Sequence, residues 1–195
     1  MKMKKIVSIT FVLLLIISLC SCKKKQSGIT IENFYENAIK YIDDDLTPNI
    51  NKTKDGFSFQ FADDSSTGNA VGDFEYEYSG KADKEKNINL IIVKVKNVNI
   101  EYFNNCTAED IASIIPNYAE ISPSEIYKIE TAFLFMNLQN ILTVFSNAET
   151  KEARSVDFLS LFAARFSERD INGWKILITT NENENSVTFT AKFDN

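Results

Sequence analysis

The sequence predicts an α+β protein, with an antiparallel sheet of about five strands packed against three or four helices in a single globular domain over residues 30–195. Three observations lead there. Stretches in the first half alternate apolar and polar residues with a period of two, as half-buried strands do. Residues 108–167 change to apolar patterns of helical period, and the C-terminus returns to two alternating stretches. Strands, then helices, then strands describe an α+β fold with an antiparallel sheet. At 44% apolar residues with 15 Phe among 195, the chain can fill one core.

The elements are taken in chain order. Thr30 is placed as an N-cap, and Ile31, Phe34, Tyr35, Ala38, Tyr41 and Ile42 recur at helical spacing, which predicts a helix over about 31–43. "GFSFQFA" (56–62) sets Phe57, Phe59 and Phe61 against small or polar neighbours, and "DFEYEYS" (73–79) repeats the device with Phe74, Tyr76 and Tyr78. In "INLIIVKVKNVNIEYF" (88–103) the alternation slips by one residue near Lys96-Asn97, so a bulge or a tight break is expected there. A short helix is predicted over 108–115, ending before Pro116. Ser122, Pro123 and Glu125 then read as a cap, a first-turn proline and a capping-box acid. The helix they open, 123 to about 147, is apolar around much of its circumference and is expected to be buried. A further helix over about 151–167 carries Phe158, Leu159, Phe162 and Phe166 on one side. "NGWKILITT" and "SVTFTAKF" read as strands joined by the polar hairpin loop "NENEN".

The first 22 residues read differently from the rest. Met1-Lys2-Met3-Lys4-Lys5 is cationic, the run Ile6–Cys20 is mostly apolar, and three lysines come after Cys22. A membrane-spanning helix needs about 20 apolar residues, and this run is shorter. A charged start, a short apolar stretch and a small residue before the cut describe an export signal. Leu19-Cys20-Ser21-Cys22 resembles the lipobox of bacterial lipoprotein precursors. The resemblance implies cleavage between Ser21 and Cys22, a diacylglycerol on the Cys22 thiol and an N-acyl chain on the new terminus. Cys20 is the poorer acceptor, because Leu19 would then precede the cut and is not small. On this pattern residues 1–21 are the signal peptide, 22–29 the lipidated terminus with a short polar tether, and the bilayer is the first partner, through Cys22. The tether, Lys23–Ile29, would average ~15 Å end to end as a flexible chain and hold the domain close to the membrane. The expected address is the bacterial cell envelope, at the outer membrane or the outer face of the plasma membrane.

Charge and composition narrow the partners. Removing Lys2, Lys4 and Lys5 from the 21 basic residues leaves 18 against 27 acidic ones, a net charge of −9 for the chain from Cys22. Such acidity argues against nucleic acid, whose binding demands a basic face. The absence of histidine removes Ser-His-Asp and Cys-His mechanisms and histidine-ligated metals. After cleavage Cys106 is the one thiol not carrying lipid, so no intramolecular disulfide forms, and core filling accounts for it better than nucleophilic chemistry.

Four further features carry weaker signals. Asp43, Asp44 and Asp45 lie at a predicted helix C-terminus, where they oppose its dipole; a cation would relieve them, but fraying of the helix with solvation of the charges is the plainer and expected account, and no metal or other cofactor besides the lipid is expected. "DDSSTGN" (63–69) loosely resembles a calcium loop, yet Phe74 stands at the twelfth position where a bidentate Glu is needed. Arg154 and Arg165 fall on the polar side of the 151–167 helix with Asp157 and Glu168 three residues after them, the pattern of surface ion pairs. The aromatic alternations at 57/59/61 and 74/76/78 suit either a ligand-binding face or a packed core. The expected function is therefore a non-enzymatic binding or scaffolding domain with an envelope protein or small ligand as partner. The rival is an envelope hydrolase of glycosidase type using paired carboxylates, which needs no histidine.

Overall fold

The computed structural model describes residues 28–42, 48–62, 74–117, 120–145, 158–171 and 173–193. Helix α1 (Ile31–Ile42) comes first, then strands β1 (Pro48–Thr53), β2 (Gly56–Ala62), β3 (Glu75–Ala82) and β4 (Ile88–Lys96). Helices α2 (Ile100–Asn105), α3 (Ala108–Asn117), α4 (Ile126–Phe145) and α5 (Phe158–Ala163) come next, and β5 (Arg169–Ile171), β6 (Trp174–Asn181) and β7 (Ser186–Phe193) close the chain. The seven strands form one sheet in the order β1-β2-β3-β4-β7-β6-β5, antiparallel at every pairing. The α+β class and the antiparallel sheet are as expected, while the strand and helix numbers are higher than the sequence indicated.

The two extra strands are the edges. Among the described residues β1, "PNINKT", pairs only with β2, and the three-residue β5 pairs only with β6. Short polar edge strands, one of them opening on a proline, discourage further pairing and have little apolar alternation to betray them. The phase slip at Lys96-Asn97 is a break: Asn97 takes a left-handed φ of 65° and the strand ends. The chain then enters helix α2 instead of continuing as strand, because the Asn99 side chain caps the helix by accepting from the Tyr102 N–H at 2.9 Å.

Alternation decides which side of the sheet is buried. Phe57, Phe59, Tyr76, Tyr78, Val93, Val95, Phe189 and Ile176 point to one face and are buried with Phe34 of α1, Phe103 of α2 and Phe135 and Leu138 of α4. Of the aromatic positions read as either ligand face or core, Phe57, Phe59, Phe74, Tyr76 and Tyr78 are thus core, with Tyr78 fully buried. Burial raises the Tyr78 pKa well above its ordinary value, with Tyr76 adding to it, so the phenol stays neutral. The opposite face is partly solvated: Lys96 pairs with Glu75 at 3.3 Å and Glu77 at 2.6 Å, and Lys94 pairs with Glu184.

Helix α4 departs from expectation. Ala132, Leu134, Phe135, Leu138, Ile141 and Leu142 are buried, but Ile126, Phe133 and Met136 are exposed, so the apolar circumference is buried on one side only. Its start also differs: Pro123–Glu125 form a 3₁₀ turn capped by Ser122, and the Glu125 carboxylate bonds Lys128 instead of closing a capping box. A reciprocal box appears one helix earlier, where Thr107 Oγ1 accepts from the Asp110 N–H at 3.1 Å and Asp110 Oδ2 accepts from the Thr107 N–H at 2.8 Å. Helix α3 runs through Pro116 into its last turn.

Gly80 sits opposite Phe57 in the β2–β3 register. A Cβ there would lie 2.3 Å from the Leu90 carbonyl and 2.7 Å from the Phe57 ring. Gly80→Ala is expected to destabilise the fold by about 1–3 kcal/mol, read from denaturant unfolding; an unchanged midpoint would show that the strands absorb a methyl group.

Candidate functional site

The end of β4 sets up a recess. Beyond Lys96, the Val98 N–H donates to the Asn185 carbonyl at 2.9 Å, which joins the start of α2 to the β6–β7 hairpin. Asn185 also has a left-handed backbone (φ 46°) where it caps the 3₁₀ turn Glu182–Glu184, a conformation asparagine tolerates better than most residues. Between this joint and the first turn of α4 lies an open groove of about 860 Å³.

Five amides line it: Asn97, Asn99, Asn104, Asn105 and Asn185. Three carboxylates, Glu101, Glu130 and Glu182, and the ring of Tyr127 complete its polar surface. Among the described residues none of the lining side chains is basic. Two of the amides are held by their own helix: Asn99 caps it, and Asn105 Nδ2 donates to the Glu101 carbonyl at 2.8 Å. The groove continues into a second recess of about 360 Å³ that shares Asn99, Glu101, Asn105 and Tyr127 with it. That recess adds Tyr102, which meets Tyr127 edge to face at 5.1 Å. Tyr102 also borders a third recess of about 440 Å³, where Asp110, Glu120, Glu125 and Lys128 supply the charge.

The titration behaviour of this strip has local causes. Desolvation, with Cys106 and Asp110 adding to it, pushes the Tyr102 pKa up to about 12, so its hydroxyl keeps its proton and can donate. The two hydrogen bonds from Thr107 lower the Asp110 carboxyl, and the Glu125 carboxylate raises the Lys128 ammonium. Lys94 lowers Glu184 in the hairpin beside the groove.

Arg165 lies elsewhere than on a surface ion pair. Its half-buried guanidinium donates through Nη1 to the Phe103 carbonyl, through Nη2 to the Cys106 carbonyl at 3.0 Å and through Nε to the Phe162 carbonyl at 3.4 Å. The cation rests 3.7 Å from the Phe162 ring centroid. The long side chain therefore locks the end of α2, a carbonyl-rich helix terminus, onto α5. Glu168 is exposed and makes no ion pair among the described residues. Cys106 is buried beside this clamp; burial raises its thiol pKa, the guanidinium pulling the other way, and its Sγ contacts the Phe103 carbonyl at 3.5 Å. A protonated, buried thiol packs rather than reacts.

Several sequence candidates lie outside the described residues: Ser21 and Cys22, Asp43, Asp44 and Asp45, the 63–69 loop, and the Arg154–Asp157 pair. Among the described residues, no group of three or more His, Cys, Asp or Glu is placed to hold a metal ion, and no helix is long and apolar enough to cross a membrane. The groove itself was not singled out from the sequence. Its one local signal is four asparagines between residues 97 and 105, at the point where strand alternation fails. No protein-family model, no curated protein and no solved structure matches this chain.

Proposed function

We propose that the chain is a membrane-anchored bacterial lipoprotein whose domain binds a ligand or envelope partner in the groove at the end of β4, without catalysing its turnover. The observation that carries this is the position of the groove relative to the tether. Thr30 bridges Asn87, and the Ile88 N–H donates to the Ile29 carbonyl at 2.8 Å, so the chain enters at the start of β4. The groove begins at Asn97, just past the other end. The nine residues of β4 span roughly 26 Å at about 3.3 Å per step. A lipid on Cys22 would hold the entry end at the bilayer, and the groove would face away from it.

A second reading rests on Glu101, Glu130 and Glu182, which share the groove. In an envelope hydrolase two of them would act as acid and base or nucleophile. Binding is favoured because amides outnumber carboxylates, and amides hold a ligand without moving its protons.

Photo-crosslinking in the producing bacterium tests the binding reading. With a photo-reactive residue replacing Asn104, which is exposed in the groove, a non-lipid adduct is expected and is lost in Tyr127→Ala; the same residue replacing Lys84, in the turn beside Asn87, is expected to capture lipid. Lipid capture from position 104, or no adduct there, would sink the proposal. Release of a cleaved product, abolished by Glu101→Gln or Glu130→Gln, would favour the hydrolase.

A further inference from the structure

Resting on the groove as a binding site, we infer that its ligand is a neutral, polyhydroxylated chain, an uncharged glycan. Three features of the lining select this class. The first is the amide set. Each Asn side chain offers two N–H donors and a carbonyl acceptor side by side, which matches hydroxyl groups that donate and accept at once. An ammonium-bearing ligand would use only the carbonyl half of amides such as Asn104 and Asn185 and would meet their N–H groups with the wrong sign.

The second feature is charge. Glu101 and Glu182 can accept strong hydrogen bonds from hydroxyls, and a carboxylate-bearing lining repels phosphate, sulfate or carboxylate groups where, among the described residues, it holds no basic side chain. Anionic polysaccharides and acidic peptides are disfavoured on that ground. The third is the aromatic pair. Tyr127 and Tyr102 meet edge to face where the main groove passes into its extension, both half-buried. Such rings offer a flat apolar surface for the C–H face of a sugar, with a hydroxyl at the rim; Tyr102 remains protonated and able to donate because its pKa is near 12. The shape agrees. A main recess of about 860 Å³ lies within the roughly 300–1,000 Å³ of small-molecule sites, and its continuation past both tyrosines suits a chain of several residues rather than one compact molecule.

The test uses the full-length acylated protein in detergent micelles against an array of immobilised uncharged oligosaccharides: glucose, mannose, galactose and N-acetylglucosamine oligomers. Decalysine and polygalacturonate serve as the cationic and anionic probes. Expected is retention of at least one neutral oligomer, unchanged when salt rises to about 0.5 M, since no charge pairing is screened. Tyr127→Ala and the exposed Asn104→Ala should each weaken it about tenfold. Salt-sensitive retention of decalysine with no neutral oligomer bound would overturn the glycan assignment and leave the groove as a site for cations. Neutral binding indifferent to both substitutions would place the sugar elsewhere and overturn it too. If no probe binds while the position-104 crosslink still forms, the ligand class falls alone; if neither occurs, the groove reading falls with it.

Discussion

Arg165→Ala is expected to lower the stability of the folded domain by about 2–4 kcal/mol, and the thermal midpoint by roughly 5–12 °C. The guanidinium donates to the carbonyls of Phe103, Cys106 and Phe162, two at the end of α2 and one on α5. Removing it leaves carbonyls at a helix terminus without their donor, and a bond to a charged group contributes about 1.5–3 kcal/mol net. The packing loss adds to this, because the guanidinium covers the Phe162 ring and approaches those of Phe103 and Phe135 within 5.5 Å. Arg165→Lys should restore only part of the loss, since one ammonium cannot reproduce a planar fork aimed at separate carbonyls. Circular dichroism melting curves of the three proteins measure the effect. A midpoint within a degree or two of the parent would mean that the cation behaves as a surface charge, whose pairs contribute no more than about 1 kcal/mol.

Cys22→Ser is expected to abolish incorporation of an alkyne-tagged fatty acid into the protein, while Cys20→Ser leaves it intact. Leu19-Cys20-Ser21-Cys22 places a small residue before Cys22 and a bulky one before Cys20, so on the proposed lipobox reading the second thiol is the expected lipid acceptor. The effect on partitioning should be large: each buried methylene contributes about 0.8 kcal/mol, and several chains together anchor stably where one binds reversibly. Mass spectrometry of the N-terminal peptide gives the decisive reading. A native chain still beginning at Met1, or fatty-acid label retained in the serine variant, would remove the anchor and with it the orientation of the groove away from the bilayer.

The sequence was most informative where burial is one-sided and local. β2, β3, β4, β6 and β7 were legible because apolar residues alternate along most of each, and the "NENEN" loop because its polar run sits between two such stretches. β1 and β5 were not legible: edge strands bury little, and neither "PNINKT" nor "RDI" has enough apolar positions to show a period. Helix α2 was hidden for a different cause. Val98, Ile100 and Phe103 are buried in the helix and its lead-in, but over so short a run apolar spacing does not distinguish one turn and a half of helix from a strand. The 100° rule placed Arg165 on a polar helix face, and α5 ends at Ala163, so the rule no longer applied at that residue.

By itself the sequence determined which residues share a face along the central strands, where the hairpin turns, and which chemistry lies beyond a chain without histidine. Those properties depend on neighbours in sequence or on composition alone. Only the tertiary structure decided that Asn185 closes against Val98, that Glu130 of α4 and Glu182 of the hairpin share one groove with Asn97 and Glu101, and that Arg165 reaches the end of α2. The physical reason is separation along the chain: these groups stand tens of residues apart, and only the pairing of β4 with β7 and the packing of α2 on α4 bring them within reach of one ligand or one cation.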